Sequence, residues 1–273
     1  MSLATQQSED PAAPALRVAA WADIAGLQHG FFGRRGGVTP GACGSLNLSE
    51  RVDDVPANVR SNWQRVRLAL GGVGIVGMRQ VHGSHVVRVD SAAQQVEEAD
   101  AIVTDRPAIG LAVLTADCVP LLAVAQDAGV VLAAHAGWRG SLAGVALAAL
   151  VYAEREMAIP PSAWRVALGP SIGGCCYEVE RAIGQRFAER WGAMPDAWQA
   201  GGERGQLDLR QVNRQILVGH GVPDDQISIV GPCTACASQE YFSHRRSAGR
   251  AGRQASIIGF QPPDSLQSKP RAG

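Results

Sequence analysis

Three apolar runs follow one another within 25 positions of this chain, at residues 110–115, 119–125 and 130–134. Each is too short for a typical helix and rich in Val and Leu, so each reads as a buried strand. Residues 54–70 read as a helix that stops at Gly71-Gly72, and 85–90 as a strand. Residues 138–157 read as one long Ala/Leu helix closed by Pro160-Pro161. Further helices are expected over 178–191 and 209–219, and further strands over 165–168, 227–230 and 255–259. Residues 31–39 form a Gly/Arg-rich turn region. The alternation is mixed, and no GxGxxG follows a strand, which speaks against a dinucleotide-binding fold.

The 273 residues suffice for one large domain, with 46% hydrophobic and 18% charged content typical of a globular core. We expect a leader over residues 1–15, one domain over 16–260 and a loose tail over 261–273. Twenty-five basic residues balance 25 acidic ones, which gives no reason to expect a nucleic-acid partner. Locally, Arg245, Arg246, Arg250, Arg253, Lys269 and Arg271 face one acid, Asp264, over residues 244–273. Such a cluster can bind phosphate or simply be a solvated tail. Lys269 is the only lysine, so P-loop, Schiff-base and Ser-Lys chemistry have no lysine within the body of the chain. Residues 1–14 lack the apolar stretch of a signal peptide, and no run reaches transmembrane length. A cytoplasmic, membrane-free setting follows as an expectation, as does a monomer. The six cysteines are then read as thiols rather than a disulfide framework. Cys175 and Cys176 are adjacent and poorly placed to bridge, and Cys233-Thr-Ala-Cys236 is a lone CxxC, a weak signal by itself.

Three other residues carry the chemistry. His82 follows Gln80-Val81, Cys118 follows Ala116-Asp117, and His135 precedes Ala-Gly-Trp-Arg-Gly. Two imidazoles and one thiolate are one ligand short of a closed tetrahedral zinc site, as in catalytic zinc centres. They lie 36 and 17 positions apart, far from zinc-finger spacing, so they must converge from separate elements. Each alone reads equally as a core histidine or a small apolar cysteine. Turn residues beside all three favour a cleft. Asp117 is a candidate to orient an imidazole or hold a proton, or else a turn cap. His135 lies just before the expected long helix, whose N-terminus, with Arg139, favours an anion.

The chain resembles the multicopper polyphenol oxidase or laccase-domain family, whose bacterial members are also called peptidoglycan editing factors. The resemblance spans residues 31–260. It rests on Arg35-Gly36-Gly37-Val38 with Ser45-Leu46-Asn47-Leu48, Gln80-Val81-His82-Gly83 and Ala99-Asp100-Ala101. It continues with Thr115-Ala116-Asp117-Cys118-Val119-Pro120, His135-Ala136-Gly137-Trp138-Arg139-Gly140 and Gly169-Pro170-Ser171-Ile172-Gly173. Cys176-Tyr177-Glu178-Val179 and Phe242-Ser243-His244-Arg245-Arg246 complete the set, while Trp63 stands where the family more often has arginine.

The resemblance implies a single-domain, four-layer α/β/β/α sandwich with mixed sheets, in the α+β class, shared with bacterial toxin domains. It implies zinc at His82, Cys118 and His135, with copper as the other metal. It implies phosphorolysis of adenosine, inosine or methylthioadenosine, deamination of adenosine, and a nucleoside pocket at Asn47. Arg139, Arg245 and Arg246 become candidates to bind phosphate. The residues argue against a four-copper laccase: there are six histidines and no His-X-His pair. A Cys118–His135 or Cys118–His82 nucleophilic pair acting on peptidoglycan precursors is the alternative that needs no metal.

Overall fold

The three apolar runs form three strands, but they do not share one sheet. The computed structural model describes residues 12–262. The chain runs through β1 (Ala15–Leu16), β2 (Leu27–Phe32), α1 (Pro56–Ala69), β3 (Gly74–Val76), β4 (Met78–Arg79), β5 (Val86–Arg88) and β6 (Val96–Glu98). It continues through β7 (Ala101–Thr104), β8 (Ile109–Thr115), β9 (Val119–Ala125), β10 (Val130–Ala136), α2 (Trp138–Ala143), α3 (Val145–Met157) and β11 (Arg165–Leu168). It closes with β12 (Glu178–Glu180), α4 (Arg181–Trp191), β13 (Trp198–Gly201), β14 (Arg204–Leu207), α5 (Leu209–Gly219), β15 (Ile227–Ile229) and β16 (Gln254–Phe260).

The two large sheets have the orders β1-β2-β16-β8-β3 and β15-β11-β9-β10-β7-β5, and two small ones, β12-β14-β13 and β4-β6, accompany them. Both large sheets are mixed: β3 runs parallel to β8, β5 to β7 and β11 to β15, while their other pairings are antiparallel.

Alternation within β10 explains the layers. Val131 and Ala133 point between the sheets, where they join Leu111, Val113 and Ile258. Val130, Leu132 and Ala134 point the other way, onto Val145, Ala149 and Leu150 of α3 and Val212 of α5. Successive strand residues face opposite sides, so a strand covered on both faces must be apolar throughout. Val66 of α1 packs with Phe32, Ala112 and Ile257 on the outer face of the five-stranded sheet. The result is the four-layer α/β/β/α sandwich.

Three expectations are corrected. The long helix over 138–157 is two helices, broken at Gly144, which sits at φ 83. Glycine adopts this left-handed conformation without steric cost, and a Cβ there would lie 2.9 Å from the Trp191 ring. The helix over 178–191 begins only at Arg181, because residues 178–180 pair with β14. Phe31 and Phe32 belong to β2, so the turn region starts later. Residues 1–11 and 263–273, most of the expected leader and tail, lie outside the described residues. Within the expected leader, Ala13 is buried and Ala15 pairs with Phe32, so the folded part begins before residue 16. Among the described residues no helix is long and apolar enough to cross a membrane.

One buried group makes this fold sensitive to acid. His29 of β2 is 5% exposed; its Nε2 accepts the Val18 N–H at 2.8 Å, and its ring lies edge-on to Trp21. Burial, then the nearby Arg17 charge, lower its pKa to about 4. The folded pKa lies below the unfolded one, so the unfolded chain takes up the proton first as pH falls. The neutral ring's contribution is therefore complete above pH 6.5 and is lost as pH falls to about 4. At ~1.4 kcal/mol per pKa unit that loss is about 3 kcal/mol. His29→Gln keeps a neutral acceptor, so its unfolding free energy should fall less between pH 7 and 4.5 than that of the wild type. Parallel pH profiles in chemical denaturation would contradict this assignment.

Candidate metal centre and cleft

Asp100, immediately before β7, is 0% exposed and organises the site. Its Oδ1 accepts the His82 N–H at 2.9 Å and faces His135 Nδ1 at 2.8 Å. Its Oδ2 accepts the N–H groups of Val81 at 3.1 Å and Gly83 at 2.7 Å. Burial pushes its pKa up, but the bonds from His135, Gly83 and Val81 outweigh this and hold it below the ordinary value. An ionised carboxylate can only accept, so Nδ1 of His135 carries a proton, and Nε2 is the ring nitrogen left to face a metal. The Asp100 carbonyl also accepts the His135 N–H at 2.7 Å.

The turn around His82 is held from both sheets. The Gln80 side chain donates to the Leu114 carbonyl at 2.7 Å and accepts the Leu114 N–H at 2.8 Å, anchoring it to β8. Asp100 anchors it to β7. Between the anchors His82 adopts φ 62, a conformation uncommon for residues other than glycine.

Cys118 lies where the chain crosses from β8 in one sheet to β9 in the other. Asp117 makes the crossover at φ 89. Its Oδ1 accepts the Thr234 hydroxyl at 2.6 Å and its Oδ2 the Arg245 N–H at 2.7 Å. The carboxylate that orients an imidazole is thus Asp100 rather than Asp117. Asp117 instead ties the Thr234 and Arg245 loops to the crossover.

These elements bring His82, Cys118 and His135 together, with their ligand atoms within 4.8 Å of one another. The two imidazoles meet edge to face at 4.8 Å between centroids. A Cβ at Gly137 would lie 3.0 Å from both Cys118 Sγ and His82 Cδ2, so only glycine lets the backbone pass this close. Burial raises the Cys118 pKa, but the imidazoles of His135 and His82 outweigh it and lower it overall. Burial lowers that of His135, but Cys118 and Asp100 outweigh it and raise it overall. The site therefore favours a thiolate. Two nitrogens and one thiolate fit zinc with an open position, and they also fit copper.

The site opens into a cleft of about 990 Å³. Arg139 lines it, stacked on Trp138 at 4.4 Å. Arg245 also lines it, 5.1 Å from the Tyr177 ring and bonded to the Glu178 carbonyl at 3.0 Å. Two candidates are not brought to the cleft. Asn47 is 0% exposed, and its amide is used by Ser49, Asp54 and Arg253, so it braces the wall behind. Arg246 is not among the lining residues, and its N–H caps onto the Ser243 hydroxyl. Sequence reasoning missed the roles of Asp100 and Tyr177. Asp100 left one weak signal, an acid directly before the buried strand Ala101–Thr104, but Glu97 and Glu98 just ahead of it mask that signal.

A family model described as multi-copper polyphenol oxidoreductase laccase matches residues 28–261. This chain belongs to that family. Among curated relatives, the purine nucleoside phosphorylase YlmD of Geobacillus stearothermophilus is 36% identical over 86% of this chain and 91% of its own length. A purine nucleoside phosphorylase of Deinococcus radiodurans is 37% identical over 90% and 94%. The crystal structure of Geobacillus YlmD superposes with a TM-score of 0.81 at 33% identity, covering 88% of this chain and 93% of that one. The Bacillus licheniformis hypothetical protein YfiH superposes at 0.85 and 30% identity, covering 91% and 97%. The family description names several coppers, yet among the described residues only two groups of metal-ligating side chains occur, one of them without histidine.

If Asp100 sets the geometry, Asp100→Asn should weaken the Cys118-dependent metal ion by roughly 10- to 100-fold. Competition against a chromophoric chelator measures this, with far-UV circular dichroism checking the fold. Unchanged affinity in a folded variant would show that Asp100 does not tune the site.

Proposed function

We infer that this chain is a zinc-dependent purine nucleoside enzyme, with phosphorolysis of adenosine, inosine and methylthioadenosine and deamination of adenosine as its activities. The observation that carries this reading is the two-nitrogen, one-thiolate donor set of His82, Cys118 and His135 at the wall of a cleft shared with Arg139 and Arg245. The names of the curated relatives support the substrate class. The volume is at the upper end of the range of small-molecule sites, with room for a nucleoside and phosphate.

Zinc held by His82, Cys118 and His135 would supply Lewis acidity and leave one position for water or substrate. The protein's own groups do the rest. Asp100 holds the Nδ1 proton of His135 and so presents Nε2. Arg139 and Arg245 position phosphate, for which guanidinium geometry is suited. The helix after His135 has only six residues, so the arginines, rather than a long helix dipole, bear the anion. Asp117 positions Arg245 through its backbone N–H. In phosphorolysis a phosphate oxygen bonds to C1′ as the C1′–N9 bond breaks, and the base leaves with the electron pair. A hydrogen-bond donor at the base eases its departure. Tyr177 lines the cleft, and burial, followed by the Cys118 charge, pushes its pKa up to about 12. Its hydroxyl stays protonated at neutral pH and can serve as that donor. In deamination, water adds at C6 and ammonia leaves.

A second reading rests on the same sulfur. The lowered pKa of Cys118 beside two imidazoles also suits a nucleophile, which would make the chain a Cys-His hydrolase of peptidoglycan precursors. Copper in the same donor set would support polyphenol oxidation instead.

Product analysis separates these readings. Zinc-loaded protein with adenosine should give inosine, and with phosphate also adenine and ribose 1-phosphate. Cys118→Ala should lower both rates by more than about 100-fold. Arg245→Ala should raise the phosphate KM about 10-fold while leaving deamination nearly unchanged. No nucleoside turnover by zinc-loaded protein would overturn the purine reading and favour the Cys118 nucleophile.

A further inference from the structure

A second set of sulfurs converges outside the three-ligand centre. Cys175 and Cys176 lie in the loop after β11, and Cys233 and Cys236 in the loop after β15. β11 and β15 are parallel neighbours, so both loops leave the same end of the sheet. Ser171 and Cys233 continue the pairing as an isolated parallel bridge, and the Thr234 N–H donates to the Ser171 carbonyl at 3.0 Å. Two pairs that are weak signals in the sequence thereby become one group, with all four sulfurs within 4.8 Å of one another.

The spacing identifies what such a group can hold. The Sγ separations are 3.9 Å for Cys175–Cys176, 3.7 Å for Cys175–Cys236 and 3.4 Å for Cys176–Cys236. A disulfide needs about 2.05 Å. A tetrahedral ion with metal–sulfur bonds of about 2.3 Å sets its sulfurs about 3.8 Å apart. An iron–sulfur cluster divides its four cysteines among two or more irons and so sets those on different irons further apart. These three edges match a mononuclear tetrathiolate, and Cys233 lies within 4.8 Å of the other three.

We propose that Cys175, Cys176, Cys233 and Cys236 bind a single structural zinc ion, separate from the centre at Cys118. Four protein sulfurs fill a tetrahedron and leave no open position, which marks a structural rather than a catalytic zinc. The surroundings fit a negatively charged zinc–thiolate group. The Gly173 N–H donates to Cys233 Sγ at 3.2 Å, as outer partners of metal-bound thiolates do. A Cβ at Gly173 would come within 3.4 Å of Cys233 Cβ and 3.5 Å of Cys175 Sγ, ordinary contact distances that show how closely this loop runs past the sulfurs. It would also come within 3.0 Å of Arg210 Nη2, which places a cation beside the group.

The ion has a structural task. The first loop carries Ile172 and Tyr177 to the cleft wall. The second carries Thr234, whose hydroxyl bonds Asp117, which in turn holds the Arg245 N–H. A clip between the two loops fixes that wall whatever substrate the cleft takes, so the proposal does not depend on the nucleoside reading.

Zinc content of full-length wild type, Cys118→Ala, Cys236→Ala and the double variant, purified under reducing conditions and measured by plasma mass spectrometry, tests it. Cys236→Ala should carry about one zinc fewer per chain than the wild type, and the double variant should carry almost none. Cobalt loading of Cys118→Ala gives an independent readout should Cys236→Ala fail to fold. About one cobalt per chain, with the intense sulfur-to-cobalt absorption of four thiolates and the visible bands of a tetrahedral ion, is expected. Undiminished zinc in Cys236→Ala, no such absorption in cobalt-loaded Cys118→Ala, or an intact mass showing these cysteines oxidised to disulfides would each overturn the proposal.

Discussion

A buried carboxylate with four hydrogen-bond donors on its two oxygens holds this molecule's site together. Asp100 receives three consecutive backbone N–H groups from the Val81–Gly83 turn and the imidazole N–H of His135. An unpaired charge with 0% exposure would be expensive to bury; four charge-assisted bonds offset that cost and fix the geometry of what surrounds it. Two of the three candidate metal ligands are therefore positioned by one group. The third, Cys118, is positioned by topology, because the chain must change sheets between β8 and β9.

The two-sheet core makes this possible. The strands that meet at the site are buried on both faces, while the turns leaving their ends carry the polar chemistry. Each turn is tied to a neighbour by a side chain that is itself fully used: Gln80 to β8, Asp117 to the Thr234 and Arg245 loops, Asn47 to Ser49, Asp54 and Arg253. The cleft wall is thus a set of braced loops, and the side chains that line the cleft are mostly not those that hold the loops. The four sulfurs at the ends of β11 and β15 belong to the same scheme, as a clip on loops that would otherwise be joined by few backbone bonds.

Much of this was legible in the residues. Double-faced burial shows as unbroken apolar runs, so β8, β9 and β10 are visible without a structure, and ligand chemistry is visible in His82, Cys118 and His135. What escaped depends on distant partners. Nothing local marks Asp100 as the acceptor for a turn seventeen or more positions earlier, and Asp117, beside a ligand, was the more obvious acid. Asn47 was placed in the pocket because its motif suggested it, whereas its amide is consumed behind the wall. Gly144 breaks the expected long helix through a left-handed turn packed on Trp191, a contact from another helix that an Ala/Leu pattern does not reveal. The CxxC at Cys233 looked isolated because its complement lies across a parallel strand pair.

The central claim is that a buried aspartate assembles a three-ligand centre with one position open to the cleft. Anomalous diffraction at the zinc edge, from crystals of the zinc-loaded wild type, tests it most directly. We predict an ion bonded to His82, to Cys118 Sγ and to Nε2 of His135, with its remaining position facing the cleft and Asp100 still bonded to Nδ1. No ion between these three side chains, or an ion whose fourth position is filled by the protein, would contradict the account.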